Sequence, residues 1–336
     1  KATRYVWEIF GVTKMQSRKI IPLATLVILL VFPLIQFFPS VFGDQNYVIH
    51  LFLYAFYYMV MTSSWNIIGG YGGFISVGHN AFLCIGAYIA GYYSIMWGVS
   101  PFYLILLAGI GAGIFGFFVG LITLRVKGPS FIISSIALIM ILRIIFDRWE
   151  LVGGASGITL PYNSLSVEFS KFPHYYGFLL LAIITIYMNW YVRHSKFGLA
   201  LRAISHDEIR SAVAGINVKY IKVTAFVLST FFIGCAGAIW ADYLTYVRPN
   251  IFLIILIAAN VVLMVILGGM GTVTGPIVGT IIFIAFNELI LSYLGATELN
   301  LLFTGLLLVI TLLYFPNGIV GTLKNKGKLP RFLDWG

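Results

Sequence analysis

Ten apolar stretches, separated by short segments rich in Gly, Pro and charged residues, constrain the fold of this 336-residue chain more than any other feature. An α-helix needs about 20 apolar residues to cross a bilayer. The stretches cover approximately residues 20–38, 47–68, 76–97, 101–124, 129–147, 175–192, 223–245, 251–268, 276–294 and 299–315. The pattern predicts an all-α integral membrane protein, a polytopic bundle of about ten (8–10) transmembrane helices.

Composition supports the same fold class. Hydrophobic residues make up 60% of the chain and charged residues only 10%, whereas soluble domains contain about 25% charged residues. So few charges cannot cover the surface of a water-soluble globule of this size. The composition therefore excludes a soluble globular protein, a disordered chain and a collagen-like fibre.

The basic residues are unevenly distributed among the segments that join the apolar stretches. If the N-terminus is cytoplasmic and all ten stretches cross, 17 of the 21 Lys and Arg residues lie on the cytoplasmic side. Cytoplasmic loops of membrane proteins show this bias. We therefore expect both termini in the cytoplasm, and we attribute the net charge of +10 to topology and not to nucleic-acid binding.

This topology divides the chain into three parts. We expect a basic cytoplasmic N-terminal arm over 1–19, a single transmembrane domain over 20–315 and a basic cytoplasmic C-terminal tail over 316–336. The longest cytoplasmic loop, 193–222, joins the sixth stretch to the seventh and carries six of the basic residues.

Two glycine-rich segments interrupt the apolar pattern at corresponding positions. Segment 69–73 leads into the third stretch, and segment 268–275 leads into the ninth. Irregular backbone at membrane depth is tolerated only where protein or a water-filled cavity surrounds it. Paired interruptions of this kind are typical of transport pathways, so we expect the third and ninth stretches to be broken or re-entrant.

Polar side chains within the apolar stretches are costly in lipid and usually face the bundle or a cavity. Hydrogen bonding between helices is the alternative role for each of them, and Glu288 would either face a substrate ammonium group or cap a helix at the outer rim. The candidates to line a translocation pathway are Asn66, Ser76, His79, Asn80, Asn260, Asn287 and Glu288.

Within the 193–222 loop, Ser205 and Glu208 have the spacing of a capping box, in which hydroxyl and carboxylate cap backbone N–H groups reciprocally. Gly215 has the position of a residue that ends a helix. The spacing predicts a nine-residue helix over 206–214 with Ile209 and Val213 on one face. Such a helix suits docking into a groove on a cytosolic partner, or an interfacial position against lipid headgroups.

This loop and the stretch after it, residues 197–241, resemble the signature region of membrane subunits of branched-chain amino acid ABC importers. The matching residues in this region are Gly198, Leu201, Arg202, Ala203, Ile204, Asp207, Glu208, Gly215, Ile216, Lys222, Ala225 and Phe226. Further matches are GGFISVGH at 72–79, GAY at 86–88, GPSF at 128–131, GGMG at 268–271, and Pro316 with Gly318. Together they follow the family's order over roughly residues 60–320, and the order of segments resembles the LivM type of permease more than the LivH type.

Two differences from the family pattern fall in the same loop. Leu199 stands where the family usually has Arg, and Ser205-His206 replaces a more charged pair. Both positions lie on the predicted docking region, so the loop is expected to match a particular ATPase.

The resemblance implies a permease subunit that moves Leu, Ile or Val across the cytoplasmic (inner) membrane of a bacterium or archaeon by ATP-driven alternating access. It implies contacts with membrane lipid and with three kinds of protein partner: a second homologous permease, two cytosolic ABC ATPase subunits and an extracytoplasmic substrate-binding protein. The residues expected to couple the loop to the ATPases are Gly198, Arg202, Ser205, Asp207, Glu208, Ile209, Val213 and Gly215.

The sequence contains no Walker A pattern, kinase signature or Rossmann fingerprint. We therefore expect no catalytic, cofactor or metal site in this chain, with ATP and Mg bound by the partner ATPases. Two alternatives remain open: the same family importing urea, short amides or other amino acids, and a secondary transporter or channel that works without ATP.

Overall fold

The computed structural model describes residues 27–33, 45–160, 171–294, 297–330 and 333–335. A short helical segment at 27–33 precedes the helices named below, and one small antiparallel pair, β1 (Ile158–Thr159) with β2 (Tyr246–Val247), accompanies them. The helices are α1 (Gln45–Asn66), α2 (Asn80–Trp97), α3 (Ile105–Thr123), α4 (Pro129–Arg148), α5 (Lys171–His194), α6 (Lys196–His206), α7 (Glu208–Val213), α8 (Val218–Leu244), α9 (Pro249–Phe252), α10 (Ile255–Gly268), α11 (Gly275–Leu294), α12 (Thr297–Tyr314) and α13 (Gly318–Asn325).

Six helical segments among the described residues are long and apolar enough to cross a membrane. They are Pro101–Thr123, Pro129–Arg148, Lys171–His194, Val218–Leu244, Pro249–Gly268 and Gly275–Ser292, with a shorter apolar helix at Leu302–Thr311. The predicted stretches 47–68, 76–97 and 299–315 correspond to α1, α2 and α12. The prediction of an all-α, polytopic bundle is confirmed. The stretch 20–38 lies mostly outside the described residues, so the count of ten spans stays a prediction.

The predicted cytoplasmic loops meet at one end of the bundle, which we call the basic face. It comprises the loops 124–128, 195–217 and 269–274 together with α13. Lys127 and Glu208 form an ion pair between the first two loops, and Arg193 at the end of α5 donates to the Gly271 carbonyl in the third. The predicted N-terminal arm, 1–19, lies outside the described residues.

The loops 98–100, 149–160 and 245–248 meet at the opposite end of the bundle. There the buried carboxylate of Asp242, near the end of α8, accepts from the Ser100 hydroxyl at 3.0 Å. Its second oxygen lies 3.0 Å from His174 Nε2 in the first turn of α5. The loops therefore alternate between two ends in the order that the apolar stretches predict.

The centre of the bundle is α8, which packs closely against α2 and α3 because small residues line the contacts. A Cβ atom at Gly86 of α2 would lie 2.2 Å from the Gly234 carbonyl oxygen of α8. A Cβ atom at Gly237 would lie equally close, 2.2 Å, to the Leu83 carbonyl oxygen. Membrane helices associate through small residues that allow such backbone approach, so these glycines fix the position of α8.

Candidate functional site

The first glycine-rich segment breaks the chain between α1 and α2. Residues Ile67–Tyr71 form a π-helical turn at the end of α1, and residues 72–79 contain no further helix before α2 begins at Asn80. π-Helical turns of this kind occur frequently at functional sites. The helix is interrupted after Tyr71, and α2 starts four residues later than the apolar pattern indicated. Helices α2 and α11 are themselves continuous, so the expected break within the third and ninth stretches is not observed, and a re-entrant course of either stretch stays a prediction.

The second glycine-rich segment forms a tight loop between α10 and α11. Gly269 and Gly271 have φ values of +129° and +74°, a region that favours glycine. The Thr272 hydroxyl donates to the Gly269 carbonyl at 2.7 Å and accepts from the Gly275 N–H at 2.9 Å. This hydroxyl therefore closes the loop and caps the start of α11.

Asn66, at the end of α1, joins the two glycine-rich segments. Its side-chain oxygen accepts from the Gly271 N–H at 2.9 Å, and its amide nitrogen donates to the Thr272 carbonyl at 2.9 Å. The Asn66 side chain is completely buried. The backbones themselves also touch, because a Cβ atom at Gly70 would lie 2.8 Å from the Gly271 nitrogen.

Side chains from α5 complete this junction. The Asn189 side-chain oxygen accepts from the Tyr71 hydroxyl at 2.5 Å and from the Asn66 amide at 3.3 Å. The Asn189 amide donates to the Ser63 carbonyl at 3.1 Å. We call Asn66, Tyr71, Asn189 and Arg193, with the Gly271 backbone, the break cluster. It lies at the basic face and connects α1, α5 and the loop between α10 and α11 through polar groups.

The start of α2 holds three of the predicted pathway residues together. Asn80, which is completely buried, donates from its amide to the Phe252 carbonyl at 3.2 Å and to the Ile254 carbonyl at 2.7 Å. These two carbonyls flank the interruption between α9 and α10. Asn80 therefore satisfies backbone groups that a continuous helix would have satisfied internally.

His79 is buried beside Asn80 and contacts Ser229 of α8, with 3.0 Å between Nε2 and Oγ. The Ser229 hydroxyl donates to the Ser64 carbonyl at 2.8 Å, so the imidazole carries its proton on Nε2 and donates to Ser229. Within the described ranges, His79 Nδ1 and Asn80 Oδ1 have no hydrogen-bond partner. Both atoms are acceptors available to a water molecule or a polar ligand.

Ser76 lies in the same non-helical segment as His79, Asn66 belongs to the break cluster, and the other predicted pathway residues lie elsewhere. The Ser76 carbonyl accepts from Trp65 Nε1 at 2.6 Å, and half-buried Asn260 interacts with the Tyr58 hydroxyl. Asn287 is half-buried on α11, and Glu288 accepts from the Tyr47 hydroxyl at 2.5 Å. The structure thus distributes the seven candidates over several places, and their role in a pathway stays a prediction.

The capping-box interpretation of the 193–222 loop is wrong. Ser205 lies inside α6, where its hydroxyl donates to the Arg202 carbonyl at 2.8 Å. Asp207 is the N-cap residue of α7, since its carboxylate accepts from the Arg210 N–H at 3.0 Å. The helix that follows spans six residues instead of the nine predicted.

Glu208 does not cap a helix because two lysines bind its carboxylate. Lys127 lies 2.5 Å from one oxygen, and Lys222 of α8 lies 2.9 Å from the other. Lys222 is buried and also donates to the Leu124 carbonyl at 2.8 Å. Burial by itself raises the pKa of the Glu208 carboxyl, but the hydrogen bonds and charges of both lysines outweigh it and lower the pKa below its usual value.

The face predicted for docking is exposed. Ile209 is 76% exposed and Val213 is 85% exposed, although both are large apolar residues. Gly215, with φ of +85°, follows the end of α7 as predicted. The short helix therefore presents two apolar side chains at the basic face while Glu208 holds it to the bundle.

Gly198 and Arg202 stabilise the turn between α5 and α6. The Gly198 N–H donates to the Ser195 hydroxyl at 3.1 Å, and a Cβ atom at Gly198 would lie 1.9 Å from the Val192 carbonyl oxygen. The Arg202 guanidinium donates to the Arg193 carbonyl at 3.1 Å. Both residues position α6 relative to the end of α5.

Helix α6 in turn packs against the first glycine-rich segment. Leu201 is completely buried, and its Cδ1 would lie 3.3 Å from a Cβ atom placed at Gly72. A Cβ atom placed at Gly73 would lie 3.2 Å from the Ser205 Cβ. The 193–222 loop and the glycine-rich segment 69–73 are therefore in direct contact.

These elements can be compared with known proteins. The family model described as "Branched-chain amino acid transport system / permease component" matches residues 47–312. The chain belongs to this permease family. It is a multi-pass protein of the inner membrane, and the matched range contains the break cluster, the start of α2 and the 193–222 loop.

Curated members of the family are similar to this permease over most of its length. LivM of Escherichia coli (strain K12), the high-affinity branched-chain amino acid transport system permease protein, is 27% identical over 81% of this chain and 69% of that protein. LivH of Salmonella typhimurium is 24% identical over 79% of this chain and 91% of that protein. The probable LivH of Methanocaldococcus jannaschii is 26% identical over 76% of this chain and 84% of that protein. No solved structure matches the chain significantly.

Sequence reasoning missed three members of the break cluster, Tyr71, Asn189 and Arg193, and one ligand of Glu208, Lys127. Tyr71 and Asn189 were detectable as polar side chains in or beside apolar stretches, by the logic that selected Asn66. No sequence pattern set Lys127 apart from the other basic residues of the cytoplasmic loops, because its role depends on the tertiary contact with Glu208.

Proposed function

We propose that this permease is the LivM-like membrane subunit of an ATP-binding cassette importer for Leu, Ile and Val. Membership of the permease family and similarity to both LivM and LivH proteins support this assignment. A LivH-like permease would be its partner in the membrane. Two ATPase subunits would bind at the basic face, and a substrate-binding protein would deliver cargo at the opposite face. This chain would bind neither ATP nor Mg.

The observation that carries the proposal is the arrangement of α7. Ile209 and Val213 face outward at the basic face, and two exposed apolar residues on one short helix suit insertion into a groove of a partner. Glu208, the first residue of the same helix, is fixed to Lys127 and Lys222. A partner that moves α7 therefore pulls on both lysines.

Contacts between the 193–222 loop and the bundle would transmit a displacement of α7 to the transmembrane helices. Lys222 belongs to α8, the central helix, so displacement of Glu208 acts on α8 directly. Helix α6 presses on the segment 69–73 through Leu201, and Arg193 holds the Gly271 carbonyl. Both glycine-rich segments would thus be coupled to the loop, and interrupted helices of this kind typically form the substrate site of transporters.

Three polar residues at the start of α2 are our candidates to meet the zwitterionic backbone of an amino acid. His79 and Asn80 each keep one buried acceptor atom available, and Ser76 is buried beside them in the chain. These acceptors suit an ammonium group, and the aliphatic side chain of the cargo needs only apolar surroundings.

Reconstituted transport tests the proposal. The permease is placed in proteoliposomes with a LivH-like permease, ABC ATPase subunits and an amino-acid-binding protein from the same organism. Radiolabelled Leu, Ile and Val should enter only when ATP is present, and urea, short amides and polar amino acids should not compete. Competition by one of those compounds would overturn the assignment of Leu, Ile and Val as the substrates. Uptake that persists without ATP would overturn the importer assignment.

A further inference from the structure

A cavity of about 380 Å³ opens at the basic face between the end of α3 and the start of α8. Leu121 of α3 and Val223 of α8 contribute apolar wall, while Arg125, Lys219, Lys222 and Glu208 contribute charged groups. None of the roles assigned above to the permease uses this cavity.

The charges around the cavity do not balance. Glu208 is already neutralised by Lys127 and Lys222. Arg125 donates from Nε to the Leu121 carbonyl at 3.2 Å, which is a neutral acceptor. In the part of the chain that the structure describes, neither Arg125 nor Lys219 forms a salt bridge. Two cations with unbalanced charge therefore border a partly apolar cavity, which favours an anionic ligand with an apolar portion.

The depth of the cavity identifies the source of that ligand. Both α3 and α8 belong to segments long and apolar enough to cross the membrane, and the cavity lies where they end at the basic face. Lipid headgroups occupy this level of a bilayer. Basic pockets between transmembrane helices on the cytoplasmic side bind anionic headgroups.

We propose that this cavity binds an anionic phospholipid, with the phosphate between Arg125 and Lys219 and the glycerol and upper acyl chain against Leu121 and Val223. Arg125 presents a planar guanidinium suited to bidentate contact with phosphate oxygens. The lipid would lie next to the Glu208–Lys222 ion pair, so the composition of the leaflet would influence the position of α7.

Lipid retention tests this proposal. The full chain is purified in mild detergent with an equimolar mixture of phosphatidylglycerol and phosphatidylcholine, and bound lipid is measured by native mass spectrometry. We expect phosphatidylglycerol to be retained preferentially. Each cation near an anionic lipid contributes about fivefold in affinity, so the double variant Arg125→Gln/Lys219→Gln should lose roughly 30-fold.

The matched control is Lys326→Gln/Lys328→Gln, which removes two exposed cations near the end of α13 and leaves the cavity unchanged. This control should retain phosphatidylglycerol as the wild type does. A further variant, Leu121→Trp, fills the apolar wall without altering charge and should also expel the lipid. Equal retention by wild type and both cavity variants would overturn the proposal.

A final arm separates lipid from free phosphate. Inorganic phosphate at millimolar concentration is added to the detergent-purified protein before lipid analysis. We expect phosphatidylglycerol to remain bound, because phosphate alone makes no contact with the apolar wall. Displacement of phosphatidylglycerol by phosphate, dependent on Arg125 and Lys219, would assign the cavity to a soluble anion and overturn the lipid assignment.

Discussion

The side-chain oxygen of Asn66 accepts a hydrogen bond of 2.9 Å from the backbone N–H of Gly271, 205 residues further along the chain, and this contact joins the end of α1 to the second glycine-rich segment. Each segment interrupts a pair of apolar helices, α1 and α2 in one case and α10 and α11 in the other. Asn66 therefore connects the two interruptions at the basic face, and several predictions about stability and transport depend on it.

Replacing Asn66 with Leu should lower the free energy of unfolding by about 2 kcal/mol. The buried amide makes three hydrogen bonds to other segments, and such bonds contribute about 0.6 kcal/mol each within membranes. Thermal unfolding in detergent measures the change, with Asn287→Leu on α11 as the matched control. A loss no greater than that of the control would contradict the structural role of Asn66.

Adding a methyl group at Gly70 should destabilise the permease by about 1–3 kcal/mol through overpacking. The new Cβ of Gly70→Ala would lie 1.9 Å from Asn66 Oδ1 and 2.8 Å from the Gly271 nitrogen. The control Gly305→Ala adds the same methyl group in α12, where nothing lies within 4 Å. We expect Gly305→Ala to be neutral or slightly stabilising, and similar melting temperatures for the two variants would show that the segments do not touch.

Asn80→Asp should destabilise the permease more than Asn80→Ala. Aspartate keeps the size of the side chain but cannot donate to the Phe252 and Ile254 carbonyls, and an ionised carboxylate repels them. Alanine only leaves the two acceptors without their donor. Unsatisfied buried groups cost about 1–3 kcal/mol, and more when charged. Chemical unfolding of both variants in detergent decides this, and the reverse order would mean that Asn80 does not bind those carbonyls.

Charge on the exposed face of α7 should weaken binding of the ATPase subunits at least tenfold without affecting folding. Ile209→Asp and Val213→Asp replace exposed apolar side chains, so melting temperatures should not change. If the interface buries Ile209 and Val213, each substitution should reduce the binding free energy by about 1.5–3 kcal/mol. This reduction corresponds to an affinity at least ten times weaker. Pull-down of the ATPases measures it, with Leu151→Asp, an exposed apolar residue at the opposite face, as control. Unimpaired binding would remove α7 from the docking surface.

The stability that Glu208 contributes should disappear in acid. Its folded-state pKa is below the usual 4.5, so the unfolded state binds more protons, and stability is lost as the pH falls through the folded-state pKa. The difference in unfolding free energy between wild type and Glu208→Gln should be largest at neutral pH and shrink below pH 4.5. Glu150→Gln, an exposed carboxylate at the opposite face, serves as control. A difference that does not vary with pH would exclude the ion pairs with Lys127 and Lys222.

The helical spans and the alternation of loops between two faces followed from the sequence, because hydropathy and charge are properties of the residues themselves. Every apolar stretch needs a helix to satisfy its backbone in lipid, and the bias of Lys and Arg orders the connecting loops. The exposed pair Ile209 and Val213 was predictable for the same reason, since helical spacing alone places them on one face.

Tertiary structure decided the partners of the polar groups. Ser205 and Glu208 have the spacing of a capping box, yet Glu208 pairs with Lys127 and Lys222, and a charged partner outweighs a local cap. Asn66 and Asn80 were recognisable as polar residues in apolar stretches. Asn66 binds the Gly271 N–H, and Asn80 binds the Phe252 and Ile254 carbonyls. These backbone groups lie more than 170 residues further along the chain, so only packing of the bundle brings them within hydrogen-bonding distance.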